Sequence, residues 1–552
     1  MSSQPRRAST TRTWPVFIVI LVLAGIAAGA WSLSGPAGST PDEDFHLASI
    51  WCGQGTDAHC AKGASSDRRT VPEGLVTGAQ CFATKPAESA DCLGTDYGDD
   101  PKPTFETDRG NFRGDYPPVY YAVMHTFVGD DISKSVLTMR AFNVLTFLVI
   151  VAAVMALVPP MLRRVTAWTF VLASVPLGIW MISSINPSGW TIVSAGTLWV
   201  CLYALPDAVG WRRPALVITA ILTATMGVGS RTDSCLFTLM AVALVFIMRP
   251  RDVLRSKTAL ATGSVIGVAS LFVFLTAKQS AAAVDAFGAQ MAPSDLSSPA
   301  LLWNNVQNLP VMWTGVWGGW PLGWVDTPLP PVVLVGSLLP WAALLFVALR
   351  NGSRRQMTAM ALLAAALVTY PLFLVTRSHL LIGQGVQPRY LVPIVVMLTG
   401  MTLLVTKAGS YVPSRGQIAL VTVALGAANS FALHTAIRRY VTGLDVVSID
   451  LDAGREWWWN LPITPMAVWM AGSLAFAAVV WLVLNTFSPL GDGDVAGLPV
   501  DGAAPGTDAG HRRALVDART AATEPDDREV GGAHASRDAG DPPGSPGLES
   551  NG

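Results

Sequence analysis

The feature that most constrains this chain is a series of apolar runs, which recur from residue 14 to residue 486. Each run is long enough, or nearly long enough, to cross a hydrocarbon core roughly 30 Å thick as a helix. Composition agrees, because 51% of the 552 residues are hydrophobic and only 14% are charged. We predict an all-α polytopic membrane protein with about twelve transmembrane helices, at residues 14–34, 136–158, 167–182, 191–206, 215–229, 235–248, 259–277, 331–349, 357–376, 391–406, 417–436 and 466–486.

Basic residues indicate how these helices are oriented. Lys and Arg cluster in alternate connections, at Arg163 and Arg164, Arg212 and Arg213, Arg249 to Lys257, Arg350 to Arg355, and Lys407 with Arg415. Cytoplasmic loops of membrane proteins are enriched in these residues. We therefore predict a bacterial cytoplasmic (inner) membrane protein with both termini in the cytoplasm. The runs 215–229 and 235–248 are short, and we interpret Ser230–Asp233 as an outward turn rather than the break of a re-entrant hairpin.

The same orientation divides the chain into segments. Residues 1–13 form a cytoplasmic N-terminus, 14–34 the first transmembrane helix and 35–135 an extracytoplasmic loop. Residues 136–486 hold the remaining helices, with outward loops at 278–330, 377–390 and 437–465. The first run could instead be a cleaved signal peptide, although its apolar length favours an anchor. Residues 487–552 are predicted to be a disordered cytoplasmic tail, because the sequence after residue 490 has no aromatic residue.

Four of the six cysteines, Cys52, Cys60, Cys81 and Cys92, lie in the first extracytoplasmic loop, whereas Cys201 and Cys235 lie in apolar runs. An even number of cysteines on the oxidising side of a membrane predicts two disulfides. Three pairings are possible, and we favour the two adjacent ones, 52–60 and 81–92. A metal site is the alternative, but no CxxC spacing supports it.

The most informative polar segment is Thr40–His46, with the sequence TPDEDFH, directly after the first helix. A capping box with Thr40 as N-cap and Glu43 three residues later would explain one of its acids. The capping box explains Asp42 and Asp44 less well, because it needs only one acid, Glu43. A carboxylate at the membrane surface can also act as a general base, and a neighbouring acid can hold a divalent cation such as Mg²⁺ or Mn²⁺. We select Asp42, Glu43 and Asp44 as candidate catalytic residues, with Asp42 as the base.

This layout resembles the GT-C class of membrane glycosyltransferases, in which an acidic motif follows the first transmembrane helix on the outer side. A closer resemblance is to a large family of uncharacterised bacterial membrane proteins. They share the acidic segment with His46, the later Asn186–Gly189 (NPSG), and Gln387–Pro393 (QPRYLVP) before a late helix. The usual Gly-Arg-Tyr of that last motif is Pro388-Arg389-Tyr390 here.

The resemblance implies inverting transfer of a sugar from a polyprenyl-phosphate donor to an envelope glycan or lipid acceptor outside the cytoplasmic membrane. Such a reaction needs a base for the acceptor hydroxyl and positive charge for the departing phosphate. The outward cations are Arg231, Lys278, Arg377 and Arg389. Arg389 is the best candidate, since its planar guanidinium suits bidentate phosphate contacts. Lys278 and Arg377 are better explained as contacts to lipid headgroups, and Arg231 could pair with Asp233.

We assign substrate binding to His46, Arg231, Arg389, Tyr390 and Trp320. The outward tryptophans, including Trp457–Trp459, could stack on sugars or anchor the protein at the membrane interface. Tyr116–Tyr121 is predicted to begin a segment along the outer surface that covers the same cavity.

The alternatives to a glycosyltransferase are a transporter or flippase for a lipid-linked saccharide and a noncatalytic protein of envelope assembly. A transporter usually has polar residues near the middle of its helices, and few charges occur there. The formal net charge is −1, with no concentrated basic face, so nucleic acid is not an expected partner. The predicted partners are a polyprenyl-phosphate-linked sugar, its acceptor and membrane lipids.

Overall fold

The computed structural model describes residues 13–93, 103–276, 293–349, 352–404 and 413–487. The predictions made for residues 1–12, for Lys278 and for the tail beyond residue 487 lie outside the described residues. The described chain is predominantly helical. Its longer helices are α1 (Thr13–Ser32), α5 (Ile132–Leu157), α6 (Pro160–Ala173), α8 (Pro187–Ala204), α9 (Arg212–Val228), α10 (Ser234–Met248), α12 (Lys257–Thr276), α13 (Ser298–Thr314), α14 (Pro331–Leu349), α15 (Arg354–Arg377), α16 (Val392–Leu403), α17 (Arg415–Val441) and α18 (Pro465–Thr486). Shorter helices are α2 (Glu43–Trp51), α3 (Gly74–Thr77), α4 (Val119–His125), α7 (Leu177–Ile182) and α11 (Pro250–Arg255).

Seven of the described helical segments are long and apolar enough to cross a membrane. They are Pro15–Ser32, Ile132–Leu157, Pro187–Asp207, Lys257–Thr276, Arg354–Arg377, Arg415–Val441 and Pro465–Thr486. Three shorter apolar helices, Ser234–Met248, Pro331–Val347 and Val392–Leu403, accompany them. The chain is therefore a polytopic helical membrane protein, as the apolar runs predict.

One predicted span is two helices rather than one. Residues 167–182 were expected to form a single helix, but α6 ends at Ala173 and α7 begins at Leu177. Pro176 lies between them, and a proline has no backbone N–H with which to continue the helical hydrogen bonds. The next helix, α8, begins at Pro187 because the side chain of Asn186 accepts a hydrogen bond from the backbone N–H of Ser188.

The first helix lies in the bundle beside the last two. It packs against α18, which in turn packs against α17. A Cβ atom added at Gly472 of α18 would lie only 2.5 Å from Cβ of Ala30, so the close approach of these helices requires glycine. Helix α8 is almost entirely buried among its neighbours. Trp31 at the end of α1 donates to the side chain of Asn429 on α17 and ties the two helices together.

One end of the bundle, which we call the loop face, carries residues 33–93 and 103–131. This segment contains α2, α3, α4 and a small antiparallel sheet of β1 (Ala61–Lys62), β2 (Arg69–Pro72) and β3 (Thr104–Thr107), in that order. Val71 of β2 is fully buried and pairs in register with Phe105 of β3. Disulfides join Cys52 to Cys60 and Cys81 to Cys92, which confirms two disulfides with the adjacent pairing.

The predicted outward loop 278–330 is partly helical. Helix α13 occupies Ser298–Thr314, and a π-helical turn follows at Gly315–Gly319. This helix was not predicted from the sequence, because it contains Pro310 and several polar residues and so lacks an apolar run. Asn305 in this helix donates to the backbone carbonyl of Leu380 and accepts from the N–H of Ile382, which fixes α13 against the segment that leads to α16.

Candidate functional site

The backbone at Asp42 determines where the acidic segment points. Asp42 is the residue before helix α2 and has a left-handed conformation, with φ of 59°. Its side chain does not cap the helix. Glu43 accepts hydrogen bonds at 2.9 Å from both the N–H and the hydroxyl of Thr40. The predicted helix start at Thr40 was therefore two residues too early, and the left-handed turn leaves Asp42 directed away from its own helix.

Glu43 is a buried member of an ion pair rather than a solvent-facing acid. Its side chain has no exposed surface and lies 3.0 Å from the guanidinium of Arg140 on α5. Arg140 also donates to the carbonyl oxygens of Ser32, Gly35 and Pro36. The pair thus fastens the turn between α1 and α2 to α5. Burial of this kind withholds Glu43 from a substrate.

Asp44 has a different arginine. Both of its carboxylate oxygens accept hydrogen bonds from Arg109, which follows β3 in the loop-face segment. The carboxylate is 8% exposed, whereas the arginine is 31% exposed. A terminal nitrogen of Arg109 also lies 3.8 Å from a carboxylate oxygen of Asp42. Arg109 therefore connects two of the three acids and covers one side of the site.

Asp42 contacts Arg389, the cation selected from the sequence. A terminal nitrogen of Arg389 donates to its carboxylate, and the other lies 3.3 Å from the carbonyl oxygen of Pro41. Arg389 is buried, whereas the carboxylate of Asp42 keeps 44% of its surface exposed and within reach of a ligand. Within the described residues, Nε of Arg389 has no hydrogen-bond acceptor. The site therefore combines an accessible carboxylate with a buried guanidinium that has one unused donor.

Electrostatics keep Asp42 ionised. Partial removal from water would raise the pKa of this carboxyl, but the charge and hydrogen bond of Arg389 hold it at about 2. Positive charges on His46 and Arg109 would act in the same direction. A carboxylate with so low a pKa is a weak base while it is paired with arginine.

His46 lies one turn along α2, and its backbone N–H donates to the carbonyl of Asp42 at 2.9 Å. Its Nδ1 is 3.0 Å from the hydroxyl of Tyr121 on α4, and its ring is edge-on to Tyr116. Burial lowers the pKa of His46 to about 3, against the opposing charge of Asp42. The imidazole is therefore neutral at pH 7 and offers hydrogen bonding rather than charge.

Arg231 lies at the same end of the bundle, in the turn between α9 and α10. It makes two hydrogen bonds to Asp233, at 2.9 and 2.7 Å, so the ion pair considered from the sequence is present. Its guanidinium also lies 4.9 Å from the ring centre of Tyr390 and 5.8 Å from that of Tyr116. Tyr370 on α15 donates to the carboxylate of Asp233 at 3.2 Å. Tyr390 thus lies between the two arginines selected from the sequence.

The remaining candidates are placed elsewhere. Trp320 packs over Gly383, whose added Cβ would lie 3.2 Å from the indole ring. Trp459 donates to the carbonyl of Leu33 at 3.1 Å and Trp458 to that of Ile463 at 2.7 Å, so both anchor backbone segments. Arg377 is exposed at the end of α15. Within the described residues, none of these four makes a hydrogen bond or an ion pair with Asp42.

Sequence reasoning missed two arginines of this region, Arg109 and Arg140. Arg140 had a usable signal, because it is a charged residue inside the predicted span 136–158. Arg109 had none, since it is one of several arginines in a long loop and its partners lie 65 and 67 residues earlier. Asn186 of the NPSG motif belongs here as well, because its amide donates to the carbonyl of Pro41 at 3.0 Å.

A divalent cation at the acidic segment is not supported by the described geometry. Glu43 and Asp44 each face their own arginine, and Asp42 faces two. Among the described residues, no group of three or more His, Cys, Asp or Glu side chains could hold a metal ion. A site for Mg²⁺ or Mn²⁺ needs several oxygen ligands around one point. These residues do not fit one.

Comparison with known proteins gives one match. A family model described as "Predicted membrane protein (DUF2142)" matches residues 26–398, which include the acidic segment, Arg231 and Arg389. No curated protein matches the chain, and no solved structure does.

Proposed function

The chain belongs to the DUF2142 family of predicted membrane proteins. For this member of the family, we propose the function of a glycosyltransferase that uses a lipid-linked donor. It moves a sugar from a polyprenyl phosphate to an envelope glycan or lipid acceptor. The proposal includes twelve membrane crossings in a GT-C-like arrangement, both termini in the cytoplasm of a bacterial inner membrane, and the loop face outside. The ion pair between Asp42 and Arg389 is the single observation that carries it, because it joins a carboxylate and a phosphate-type cation 347 residues apart in the chain.

In this reaction the two partners of the ion pair act separately. The donor phosphate binds Arg389, including its unused Nε, and displaces the carboxylate of Asp42. Once Asp42 no longer contacts Arg389, the main cause of the low pKa of Asp42 is removed, so its carboxylate becomes a stronger base. Binding of the donor thereby activates the base.

The chemical step is a single displacement with inversion. The acceptor hydroxyl oxygen forms a bond to the anomeric carbon while the bond from that carbon to the phosphate oxygen breaks. Asp42 takes the hydroxyl proton, and the electron pair of the broken bond leaves with polyprenyl phosphate. Arg389 stabilises the negative charge that develops on the phosphate. Neutral His46 is buried, and its contacts with Tyr121 and Tyr116 hold these two rings beside the site.

The test is sugar transfer by the purified full-length protein in lipid nanodiscs. Polyprenyl-phosphate donors carrying a radiolabelled sugar are screened with an envelope lipid extract as acceptor. We expect transfer by the wild type and a loss of at least about 100-fold in Asp42→Asn, which is the usual scale of general-base catalysis. Asp91→Asn is the matched control, because Asp91 is an exposed acid of the same segment. Normal transfer by Asp42→Asn would remove the proposed base.

A further inference from the structure

A lateral groove runs between α10 and α15. It encloses about 580 Å³ and is lined by Phe237 and Met240 from α10, Ala366 and Phe373 from α15, and Ile394 from α16. Phe373 is 61% exposed, so the groove opens to the side of the bundle. In a membrane protein that side faces lipid chains.

One lining residue of the groove contacts the candidate site. Tyr370, one of its lining residues, donates to Asp233, which holds Arg231. Arg231 in turn lies against the ring of Tyr390, the residue that follows Arg389. Ile394 begins the groove only five residues after Arg389. The apolar groove therefore lies beside the cationic site, with Tyr370 contacting both.

We propose that this groove binds the first part of the prenyl chain of the donor while the phosphate of the same molecule is at Arg389. The inference rests on the proposed function, and it names the part of the bundle that recognises the lipid. One groove beside one phosphate-type site matches a lipid with a single chain. A glycerophospholipid has two chains that diverge from its headgroup.

The size of the groove limits what it recognises. Its α10 wall extends from Leu236 to Ala243, which at 1.5 Å per residue is roughly 10 Å. The hydrocarbon core of a bilayer is about 30 Å thick. The groove therefore holds the units next to the phosphate, and the rest of a long chain extends into the bilayer.

The experiment is photo-crosslinking of the full-length protein in nanodiscs of phosphatidylethanolamine and phosphatidylglycerol. The probe is a polyprenyl phosphate with a diazirine on its first isoprene unit, and labelled peptides are mapped by mass spectrometry. We expect labelling of residues 236–243 or 366–373. Ala366→Trp fills the groove and should reduce labelling at least about fivefold. Ala364→Trp is the matched control, because Ala364 is exposed on the same helix outside the groove and should leave labelling unchanged.

Competition identifies the occupant. Excess unlabelled polyprenyl phosphate should suppress labelling, whereas the same excess of phosphatidylglycerol should not. Equal suppression by both lipids, or equal labelling in both tryptophan variants, would overturn the proposal.

Asp42→Asn distinguishes lipid binding from sugar transfer, because it removes the proposed base and leaves the groove intact. This variant should therefore still be crosslinked although it transfers no sugar. Crosslinking without sugar transfer in the wild type would refute only the transferase, and transfer without crosslinking would refute only the groove.

Discussion

At the scale of single residues, the three acids that follow the first helix have three different surroundings. Glu43 is fully buried with Arg140, Asp44 is held by Arg109, and Asp42 remains partly exposed beside Arg389. The left-handed backbone at Asp42 explains why these surroundings differ. It points the carboxylate of Asp42 in a different direction from the carboxylates of Glu43 and Asp44, which lie in the helix. Only Asp42 combines access with a cation suited to phosphate.

The neutral state of His46 leads to a prediction about pH. The pKa of His46 is about 3 in the folded protein, against about 6.5 in an unfolded chain. Between these values the unfolded state binds more protons, so stability falls as pH is lowered below about 6.5, by up to ~1.4 kcal/mol per pH unit. We expect the apparent Tm in detergent to decrease from pH 7 to pH 5, and the decrease to be smaller in His46→Gln. An unchanged slope in that variant would show that His46 is not buried in its neutral form.

Arg389 is expected to be replaceable only in part by lysine. Lysine keeps the positive charge but loses the planar set of donors, including the unused Nε. We expect Arg389→Lys to lower kcat/KM for sugar transfer by about 10- to 100-fold, with Arg377→Lys as a control at an exposed arginine of the same face. Transfer at the wild-type rate by Arg389→Lys would show that phosphate does not use the guanidinium fork.

At the scale of helices and turns, Arg140 determines how the acidic segment is held. It joins α5 to three backbone carbonyls after α1 and to Glu43. The position of Asp42 depends on this turn, which precedes it directly. The site is therefore built on an internal ion pair of the bundle rather than on the long loop alone.

Removal of one partner of that pair should be costly. Arg140→Met leaves Glu43 buried and unpaired, for which the usual cost is about 3–5 kcal/mol. We expect a clear drop in thermal stability in detergent, and partial recovery in the double variant Arg140→Met/Glu43→Gln. Lys134→Met is the matched control, because Lys134 is exposed at the start of the same helix. Equal stability of Arg140→Met and Lys134→Met would contradict a structural role for the pair.

The sequence predicted helices better than it predicted their ends and contacts. A long apolar run identifies a membrane helix because a helix must be that long to cross the bilayer. The same criterion does not detect the helix break at Pro176, and it does not detect α13, which has no long apolar run. Of the three possible cysteine pairings, the adjacent one was favoured and is present. Asp42 and Arg389 were selected from the sequence for the two halves of one reaction, and they are in contact. Arg109 was not selected, because no local pattern reports a partner 65 residues away.

At the scale of the whole molecule, the basic helix α11 and the turn that holds Arg231 lie at opposite ends of α10. α11, with Arg251, follows the end of α10 that is remote from Arg231. The two disulfides lie at the loop face, which fits an oxidising compartment. The proposed orientation places the site outside the cytoplasm, where a lipid-linked donor presents its sugar.

Cysteine labelling tests this orientation. Ser66→Cys lies on the exposed loop face and Arg251→Cys on the exposed opposite end. We expect a membrane-impermeant maleimide to label Ser66→Cys in intact spheroplasts and Arg251→Cys only after permeabilisation, because charged reagents do not cross the bilayer. Background should be low, since Cys201 and Cys235 are buried and the other four cysteines are in disulfides. The reverse labelling pattern would invert the topology and place the site in the cytoplasm.

The central claim is that a lipid phosphate replaces the carboxylate of Asp42 as the partner of Arg389. Binding of sugar-free polyprenyl phosphate to the purified protein tests this claim most directly. Asp42→Asn removes the competing negative charge, so we predict that this variant binds polyprenyl phosphate about tenfold more tightly than the wild type, a gain of ~1.4 kcal/mol, although it transfers no sugar. Weaker or unchanged binding by Asp42→Asn would contradict the account.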